Sequence, residues 1–251
     1  MSDNRTTTPI FSIITVTYNA GQVLEPTIRS VMSQTYPHVE YIIVDGASKD
    51  NTLALIKKYR ERIQTVVSEP DKGLYDAMNK GIALAHGDYL CFLNAGDCFH
   101  SEHTLQEMAD SLPDGALPDV LYGETAIVDA NRNFLHMRRL SAPERLTWRS
   151  FKQGMVVCHQ AFFPKRALAE PYDLKYRFSA DVDWCIRIMK KARLLHHTHV
   201  IIVDYLDEGM TTRNRRASLK ERFHIMVKHY GWASTLAHHA WFVLRAIVKR
   251  K

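Results

Sequence analysis

The chain has 251 residues, of which 46% are hydrophobic and 24% are charged. This length and apolar content predict one domain with a substantial buried core and an addition at its end. The four cysteines include no C-x-x-C pair, which argues against disulfides or a zinc site and indicates reduced packing residues: Cys91, Cys98, Cys158 and Cys185.

The net charge of +6 is concentrated near the C-terminus. Residues 210–251 contain ten lysines and arginines against one acid, Glu221, which gives this segment a charge of +9. The first 209 residues carry −3. The basic balance therefore describes the C-terminal segment and not the body of the protein.

The first residues, MSDNRTTTPIF, contain no apolar segment before the first predicted strand. A signal peptide and an N-terminal membrane anchor both need such a segment. The sequence therefore predicts a cytoplasmic protein.

Four short apolar runs alternate with helical patterns in the first hundred residues. The runs predict buried strands at Phe11–Val16, Tyr41–Val44, Thr65–Val67 and Tyr89–Leu93. Apolar residues at helical spacing predict a helix after each of the first three strands, and Ser48 or Asp50 can cap the second helix. This alternation predicts a mostly parallel sheet with right-handed crossovers.

Polar residues follow these strands where each one ends. Thr17, Asp45, Asp71 and Asp97 leave the strands at the carboxyl edge of the sheet, where ligands bind in open α/β folds. We therefore expect them to line one cleft. Asp97 belongs to the small-residue turn Asn94-Ala95-Gly96-Asp97, which suits a divalent cation with phosphate oxygens; the alternative is an ordinary polar turn.

Three segments with this order and spacing, SIITVTYN, YIIVDGASKDNT and SEPDKGLYDAMNKGIALAHGDYLCFLNAGD, resemble glycosyltransferase family 2. The resemblance covers about residues 10–210. It implies a GT-A fold, a nucleotide-sugar donor, a divalent cation (Mg²⁺ or Mn²⁺) and inversion at the anomeric carbon. We divide the chain into a GT-A domain at 1–215, with a nucleotide-binding half at about 10–97 and an acceptor-side half at about 98–215, and a basic amphipathic helical tail at 216–251.

The resemblance also assigns roles to individual residues. It implies donor binding by Thr17, Tyr18, Asn19, Asp45, Asp71, Lys72, Asn79, Asn94 and Arg213, with Asp45 and Asp71 near the base or ribose. Asp45 can alternatively cap the turn after its own strand. Family members commonly carry Asp-x-Asp at the cation turn, whereas this chain has Asn94 and Gly96 at those positions and keeps Asp97 as the acid. The expected ligands are Asp97 and Asn94, and an amide in place of a carboxylate predicts weaker cation binding.

Two other nucleotide-binding classes lack their motifs here. The first strand is followed by Thr17-Tyr18-Asn19-Ala20-Gly21, which is not the G-x-G-x-x-G loop of NAD-dependent oxidoreductases. The G-x-x-x-x-G-K-[ST] phosphate loop is also missing from the sequence.

The second half of the chain predicts shorter strands. Val120–Gly123, Ala126–Val128 and Phe134–Met137 favour an antiparallel acceptor-side layer, and Cys158–Phe163 predicts a further strand in which His159 is more typical of a hydrogen-bonded core residue than of a functional one. In the strand Leu195–Val203, alternation places His197 and His199 on one face and His196 on the other. A partly buried edge strand is the favoured interpretation over a metal site.

The segment Ser179-Ala180-Asp181-Val182-Asp183-Trp184 supplies the predicted catalytic acids. Inverting transfer needs a group that takes the proton of the acceptor hydroxyl, and a carboxylate at the start of a helix suits this role. Helical geometry places Asp181 and Asp183 about 100° on either side of the buried stripe, so periodicity does not choose between them. The resemblance assigns the base to Asp181, with Asp183 as the second choice, although Ala180 replaces an acid of the family pattern.

Two features of the C-terminal region also indicate function. Glu208–Arg213 resembles the loop that closes over the donor in family members. Trp232–Val248 predicts an interfacial helix beside basic residues, which favours an anionic membrane surface on the cytoplasmic side over packing against the protein or a second subunit. The basic residues of this region are accompanied by no nucleic-acid-binding motif, so we expect no nucleic-acid partner.

These features predict an inverting glycosyltransferase of cell-surface polysaccharide biosynthesis that acts on a glycan or lipid-linked acceptor. The alternatives are a catalytically inactive nucleotide-binding module and a nucleotidyltransferase. The sugar, the base and the acceptor are not determined by the sequence.

Overall fold

The computed structural model describes residues 8–207 and 215–248. Its first layer is a four-stranded parallel sheet, as predicted, and the strand order is β3-β2-β1-β4. The strands are β1 Phe11–Thr17, β2 Val39–Asp45, β3 Thr65–Ser68 and β4 Tyr89–Phe92. The helices that connect them are α1 Leu24–Met32, α2 Thr52–Lys58 and α3 Leu74–Leu84.

The parallel sheet is buried on both faces. Along β1, Ile14 and Val16 pack in one apolar cluster, whereas Phe11 and Ile13 pack in the other. The first cluster includes Met78 of α3 and the second includes Ile28 of α1. Alternate side chains of one apolar strand thus stabilise both faces, which explains why these runs show no polar alternation.

A second sheet has the strand order β5-β9-β6-β7, with β8 paired to β6. Its strands are β5 Cys98–Phe99, β6 Val120–Val128, β7 Phe134–Met137, β8 Phe162–Pro164 and β9 Leu195–Leu206. Strands β6 and β9 run parallel, and the other pairs are antiparallel. The remaining helices are α4 Thr104–Asp110, α5 Ala180–Lys191, α6 Arg215–Tyr230 and α7 Trp232–Val248.

Three local predictions for the second half are wrong. The two strands predicted between Val120 and Val128 form one continuous strand whose register against β9 shifts near Glu124. The strand predicted from Cys158 begins instead as a 3₁₀ turn, His159–Ala161. Strand β9 is an edge only in its first half, because β5 pairs with it at Val203 and Asp204.

The cap prediction for α2 is wrong, because the residue at the N-cap is Asn51, which makes no side-chain cap hydrogen bond. Asp50 lies one residue earlier, and its Oδ1 accepts a hydrogen bond of 3.0 Å from the backbone N–H of Thr52. Ser48 instead donates its hydroxyl to Asp45. The four cysteines are free and buried, as predicted.

Helix α6 packs on the domain rather than extending away from it. Ile225 is fully buried in the first cluster, and Tyr230 stacks on Trp148 with ring planes 8° apart. The Glu221 carboxylate accepts backbone hydrogen bonds of 2.9 and 2.8 Å from Arg177 and Phe178. Within the two described ranges, no helix combines the length and hydropathy of a membrane-crossing segment.

Candidate active site

The carboxyl edge of the parallel sheet brings two predicted residues, Thr17 and Asp45, into register. Thr17 ends β1 beside Asp45 at the end of β2, and Asp45 lies beside Ser68 at the end of β3. The Gly46 N–H donates to the Thr17 carbonyl at 2.9 Å, which extends the pairing of β1 and β2 by one residue. This edge forms the floor of the candidate cleft.

Tyr18, Gly46 and Asp71 meet at this edge. A Cβ atom on Gly46 would lie 2.5 Å from Asp71 Oδ2 and 3.3 Å from the Tyr18 ring, so both side chains lie directly against the glycine backbone. The Gly73 N–H donates to Asp71 Oδ1 at 2.8 Å and fixes the carboxylate. Because the Tyr18 side chain is 63% exposed, the group offers an aromatic surface next to a hydrogen-bond acceptor, which suits a nucleoside.

Asp45 occupies a different position from the one expected of a residue that contacts a nucleotide. It is fully buried, and its oxygens accept hydrogen bonds from the Ser48 backbone N–H at 2.9 Å, the Ser48 hydroxyl and the Ser68 hydroxyl at 2.6 Å. The alternative interpretation, a cap on the following turn, describes this geometry. Asp45 therefore shapes the edge without presenting an oxygen to the cleft.

The remaining donor-binding predictions fall into three groups. Asn19 braces the loops, because its N–H donates to Ser48 Oγ and its Oδ1 accepts from the Lys49 N–H. Asn79 uses both amide groups on the backbone of Tyr172, at 3.1 and 2.6 Å, so it joins α3 to a neighbouring loop rather than facing the cleft. Lys72 is exposed at the start of α3, and Arg213 lies outside the described residues.

A second group of side chains surrounds Asp181 at the N-terminus of α5. The Tyr75 hydroxyl donates to Asp181 Oδ1 at 3.1 Å, and His159 Nδ1 lies 3.6 Å from Asp181 Oδ2. Asn94 Nδ2 lies 3.3 Å from the opposite ring nitrogen of His159. The carboxylate is only 15% exposed, so it lies in a largely dry environment, where electrostatic interactions are strong.

The hydrogen-bond partners of His159 define its protonation. The Asn94 amide nitrogen can only donate, so His159 Nε2 accepts and the ring proton is on Nδ1, facing Asp181. Burial lowers the pKa of His159, although the Asp181 charge acts the other way. The ring is therefore neutral, and its N–H dipole points at the carboxylate.

Asp183 lies on the other side of α5, in a cluster of cations. Its Oδ1 accepts from Lys228 Nζ and His229 Nε2, each at 2.8 Å, and its Oδ2 accepts from Arg187 Nε at 2.8 Å. The side chain is fully buried. These contacts give Asp183 the role of joining α5 to α6 and leave no open approach for an acceptor hydroxyl.

The predicted cation turn is built around Asp97. Gln160 Nε2 donates to Asp97 Oδ2 at 2.8 Å and the Leu206 N–H donates to Oδ1 at 3.1 Å. Burial raises the pKa of Asp97 to about 7, against the opposite effect of these two hydrogen bonds. Asn94 Oδ1 is buried and has no hydrogen-bond partner among the described residues.

These donors fit a divalent cation. A buried carboxylate and an unpartnered amide oxygen are both ligands that Mg²⁺ and Mn²⁺ accept. A cation would also offset the cost of burying the Asp97 charge. Because one carboxylate stands where Asp-x-Asp offers two, much of the coordination would come from water and from donor phosphates.

The chain was compared with known proteins. Residues 12–170 match the family model described as Glycosyl transferase family 2. The chain belongs to this family. A PGL/p-HBAD biosynthesis glycosyltransferase of Mycobacterium tuberculosis (strain H37Rv) is 34% identical over 208 residues, which cover 80% of this chain and 78% of the relative. The putative teichuronic acid biosynthesis glycosyltransferase TuaG of Bacillus subtilis is 26% identical and covers 87% and 91% of the two chains.

Solved structures show the same fold for this family 2 glycosyltransferase. Residues 1–349 of TarS from S. aureus superpose with a TM-score of 0.70 at 18% identity, covering 93% of this chain and 72% of that one. The mannosyltransferase PcManGT of Pyrobaculum calidifontis superposes with a TM-score of 0.63 at 19% identity, covering 93% and 69%. The chain is thus an α/β glycosyltransferase with the GT-A fold.

Sequence reasoning missed Tyr75 and Gln160, which contact the two acids of the site, and treated His159 as a core residue. The helical pattern of α3 assigns Tyr75 to no special role, because its contact with Asp181 spans 106 residues. The best available signal was the pair His159-Gln160, two polar residues inside an apolar run. Each points to a different acid of the site, His159 to Asp181 and Gln160 to Asp97.

Proposed function

We propose that this glycosyltransferase moves a sugar from a nucleotide diphosphate to a hydroxyl of a glycan or lipid-linked acceptor with inversion, and that Asp181 is the base. The observation that carries the proposal is the environment of Asp181. Asp181 lies at a helix N-terminus, beside the neutral imidazole of His159 and the hydroxyl of Tyr75. The cation turn lies on the other side of His159, whose second ring nitrogen contacts Asn94. Asp183 is bound to three side chains and is not free for this role.

Inverting transfer is a single displacement, so the acceptor hydroxyl must lose its proton as it attacks. Asp181 Oδ2 would take that proton, because Oδ1 accepts from Tyr75. Burial, with the Asp181 charge as a further contribution, raises the pKa of Tyr75 well above its ordinary value. Its hydroxyl therefore stays protonated and fixes the orientation of the carboxylate. His159 acts as a positioning residue through its Nδ1–H.

The donor would lie along the carboxyl edge with its base against Tyr18 and its polar edge at Asp71. Published structures of TarS contain UDP and UDP-GlcNAc, and that of PcManGT contains GDP-Man and Mn²⁺. We infer a nucleotide-diphosphate sugar of these classes for this chain. Lys72 and Arg213 are the cations that we assign to its phosphates, and Thr17, whose hydroxyl is buried with no partner in the described part of the chain, is assigned to the same ligand.

Asp97 and Asn94 would hold Mg²⁺ or Mn²⁺ at the diphosphate. The bound cation neutralises charge that develops on the leaving nucleotide. Gln160 and the Leu206 N–H orient the Asp97 carboxylate. His159 accepts a hydrogen bond from Asn94 Nδ2, which turns Asn94 Oδ1 away from the imidazole ring.

The names of the relatives support a proposal for the acceptor class. Their names place them in PGL/p-HBAD and teichuronic acid biosynthesis. We infer that this chain also acts in the biosynthesis of a cell-surface polysaccharide or glycolipid. We assign such an acceptor to the side of the second sheet, whose strand β5 begins directly after the cation turn.

The C-terminal tail would hold the enzyme at an anionic membrane surface on the cytoplasmic side. On α7, Trp232 and Leu236 are 62% and 55% exposed and lie one helical turn apart on one face. Because α6 packs on the domain, the membrane-facing part of the proposed 216–251 tail begins at α7. Arg245, Lys249, Arg250 and Lys251 follow in the sequence.

A donor panel tests the function directly. The purified chain is incubated with UDP- and GDP-sugars in Mg²⁺ or Mn²⁺, and release of the nucleoside diphosphate is measured. We expect slow hydrolysis of one donor that stops in Asp181→Asn. Binding without hydrolysis would support an inactive nucleotide-binding module. In a parallel reaction with a nucleoside triphosphate and a sugar 1-phosphate, formation of the nucleotide sugar with release of pyrophosphate would support a nucleotidyltransferase.

A further inference from the structure

His197 is a buried imidazole whose polar atoms lack partners. Its side chain is 7% exposed, and neither ring nitrogen has a hydrogen-bond partner within residues 8–207 and 215–248. The ring stacks on Tyr122 with centroids 4.9 Å apart and planes 6° apart, so it cannot turn to find one. A buried polar group left without a partner is costly, and a ligand at this position would remove that cost.

Two further metal-ligating groups lie beside this ring. His197 Nδ1 and His199 Nδ1 are each 3.7 Å from the same oxygen, Oε1 of Glu144. These separations are too long for hydrogen bonds. They are close to the distance between neighbouring ligands of tetrahedral zinc, about 3.3–3.4 Å for bonds of about 2.0–2.1 Å. All three ligand atoms lie within 4.8 Å of one another.

The backbone of β9 departs from regular geometry to bring the two histidines together. Tyr122 pairs with His197, but Glu124 pairs with Ile201, so β9 has two extra residues between these pairs. His199 has φ 57°, in the left-handed region that few residues other than glycine adopt. As a result the two imidazole rings are 4.3 Å apart between centroids, whereas alternate residues of a regular strand are about 6.6 Å apart.

The third group is fixed by the same tyrosine that supports His197. The Tyr122 hydroxyl donates to the carbonyls of Pro143 and Glu144 at 3.0 and 3.2 Å and accepts from the Leu146 N–H at 3.3 Å. Tyr122 therefore positions both the imidazole and the loop that carries the carboxylate. Such support of ligands by surrounding residues is typical of metal sites.

We propose that Glu144, His197 and His199 bind a zinc ion that joins the 138–147 loop to strand β9. Two imidazoles and one carboxylate suit zinc and leave a fourth position for water. Mg²⁺ and Mn²⁺ prefer oxygen ligands and would not compete. Because Glu144 lies within this loop and both histidines lie on β9, the zinc would hold the loop against the strand. The inference does not depend on the proposed transfer reaction.

Zinc binding to the full chain tests this site. Chelator-treated protein is titrated with Zn²⁺ in the absence of nucleotide and then digested with trypsin. We expect one tightly bound equivalent and slower cleavage after Arg139 and Arg145, which are exposed on either side of Glu144. Mg²⁺ should give neither effect.

Two of the three proposed zinc ligands are exposed, so variants at these positions should fold. Glu144→Ala removes the carboxylate, and His199→Asn removes the imidazole but keeps a residue that tolerates a positive φ. Each should weaken zinc binding by more than about a hundredfold, because loss of an outer hydrogen-bond partner alone costs about ten- to hundredfold. Each should also abolish the protection from trypsin.

Two control variants separate this site from the rest of the surface. His86→Ala removes an exposed imidazole that pairs with Glu40 at 2.9 Å. Within the described ranges, this pair has no third metal-ligating side chain beside it. Asp97→Asn alters the cation turn. Both should retain zinc. Wild-type protein that binds no zinc at micromolar concentrations would overturn the proposal, as would Glu144→Ala and His199→Asn proteins that bind it as tightly as wild type.

Discussion

Asp181 and Asp183 are two residues apart on α5 but occupy opposite electrostatic environments. Asp181 contacts a tyrosine hydroxyl and a neutral imidazole and keeps 15% of its side chain exposed. Asp183 is fully buried and bound to Arg187, Lys228 and His229. One carboxylate can therefore exchange a proton with a substrate, while the other holds two helices together.

The first prediction concerns the base. Asp181→Asn keeps the size of the side chain but cannot take up a proton, so turnover should fall by about a hundredfold or more, the usual scale for loss of general-base catalysis. Nucleotide affinity should change little, because we assign the nucleoside to Tyr18 and Asp71 and the acceptor proton to Asp181. Steady-state turnover and nucleotide titration measure the two effects. Undiminished turnover would move the assignment to Asp183.

The second prediction concerns Asp183 as a stabilising residue. Asp183→Asn leaves three donors without their anion and should lower the free energy of unfolding by about 3 kcal/mol, the lower end for breaking a buried ion pair. We use the lower end because Lys228 and Arg187 remain 39% and 20% exposed and are partly screened by water. Urea unfolding at neutral pH measures the loss. Turnover of the protein that stays folded should be close to that of wild type.

The same group predicts a pH dependence. Burial raises the pKa of Asp183, but hydrogen bonds from His229, Lys228 and Arg187 outweigh it and hold the pKa well below its usual range. A depressed carboxylate pKa contributes stability above the unfolded value of about 3.9, and that contribution is lost as the pH falls further. Wild type should therefore lose more stability than Asp183→Asn on acidification below about pH 4. Equal slopes for the two proteins would contradict the assignment.

The third prediction concerns Gly46. A methyl group at this position would lie 2.5 Å from Asp71 Oδ2. The carboxylate can move away, so Gly46→Ala should fold, but it should lose the nucleotide contact of Asp71. A hydrogen bond to a charged group is worth about 1.5–3 kcal/mol, or about ten- to hundredfold in Kd.

Asp71→Ala provides the matched comparison for Gly46. Because both changes remove the same contact, the double variant should bind nucleotide no more weakly than Asp71→Ala alone. Isothermal titration of the donor measures all three. Additive losses would show that Gly46 acts independently of Asp71.

The fourth prediction concerns the cation. Asp97→Ala should abolish the extra thermal stabilisation that Mg²⁺ or Mn²⁺ adds to bound donor, and chelator should do the same to wild type. Since the alanine also leaves Gln160 and the Leu206 N–H without their acceptor, Asp97→Asn serves as the milder variant. Full activity of wild type in excess chelator would show that the turn, with Asn94 in place of an acid, works without a cation.

The parallel sheet could be predicted because its apolar runs are buried on both faces and leave their polar residues at one edge. Thr17 and Asp45 do lie in register there. The second sheet was harder to predict, since the register shift in β9 around His199 depends on pairing with β6, about 75 residues earlier. No local pattern contains that information.

The site shows the same division between local and distant information. Helical periodicity makes Asp181 and Asp183 equivalent, and what separates them is α6, whose Lys228 and His229 are 45 and 46 residues further along the chain. Asp45 accepts a hydrogen bond from the Ser48 N–H in its own loop, as the alternative of a turn cap predicts, and its contact with a nucleotide stays a prediction. Residues that touch ligands and residues that shape loops share the same chemistry, and only the packing distinguishes them.

The fifth prediction concerns the tail. Deletion after Gly231 removes α7 and the terminal basic residues but keeps α6, whose Ile225 belongs to the core and whose Lys228 and His229 bind Asp183. The truncated protein should therefore keep its fold and its donor hydrolysis. A deletion that began before α6 would confuse membrane binding with unfolding.

Sedimentation with anionic vesicles should then separate the two proteins. The full-length chain should pellet at low salt, because apolar burial of Trp232 and Leu236 adds to about 1 kcal/mol for each basic residue near the surface. High salt should release much of it, since the Debye length falls from about 10 Å at 0.1 M to about 3 Å at 1 M. The truncated protein should stay in the supernatant throughout. Equal recovery of both proteins in the low-salt supernatant would instead mean that α7 packs on the protein or on a second subunit.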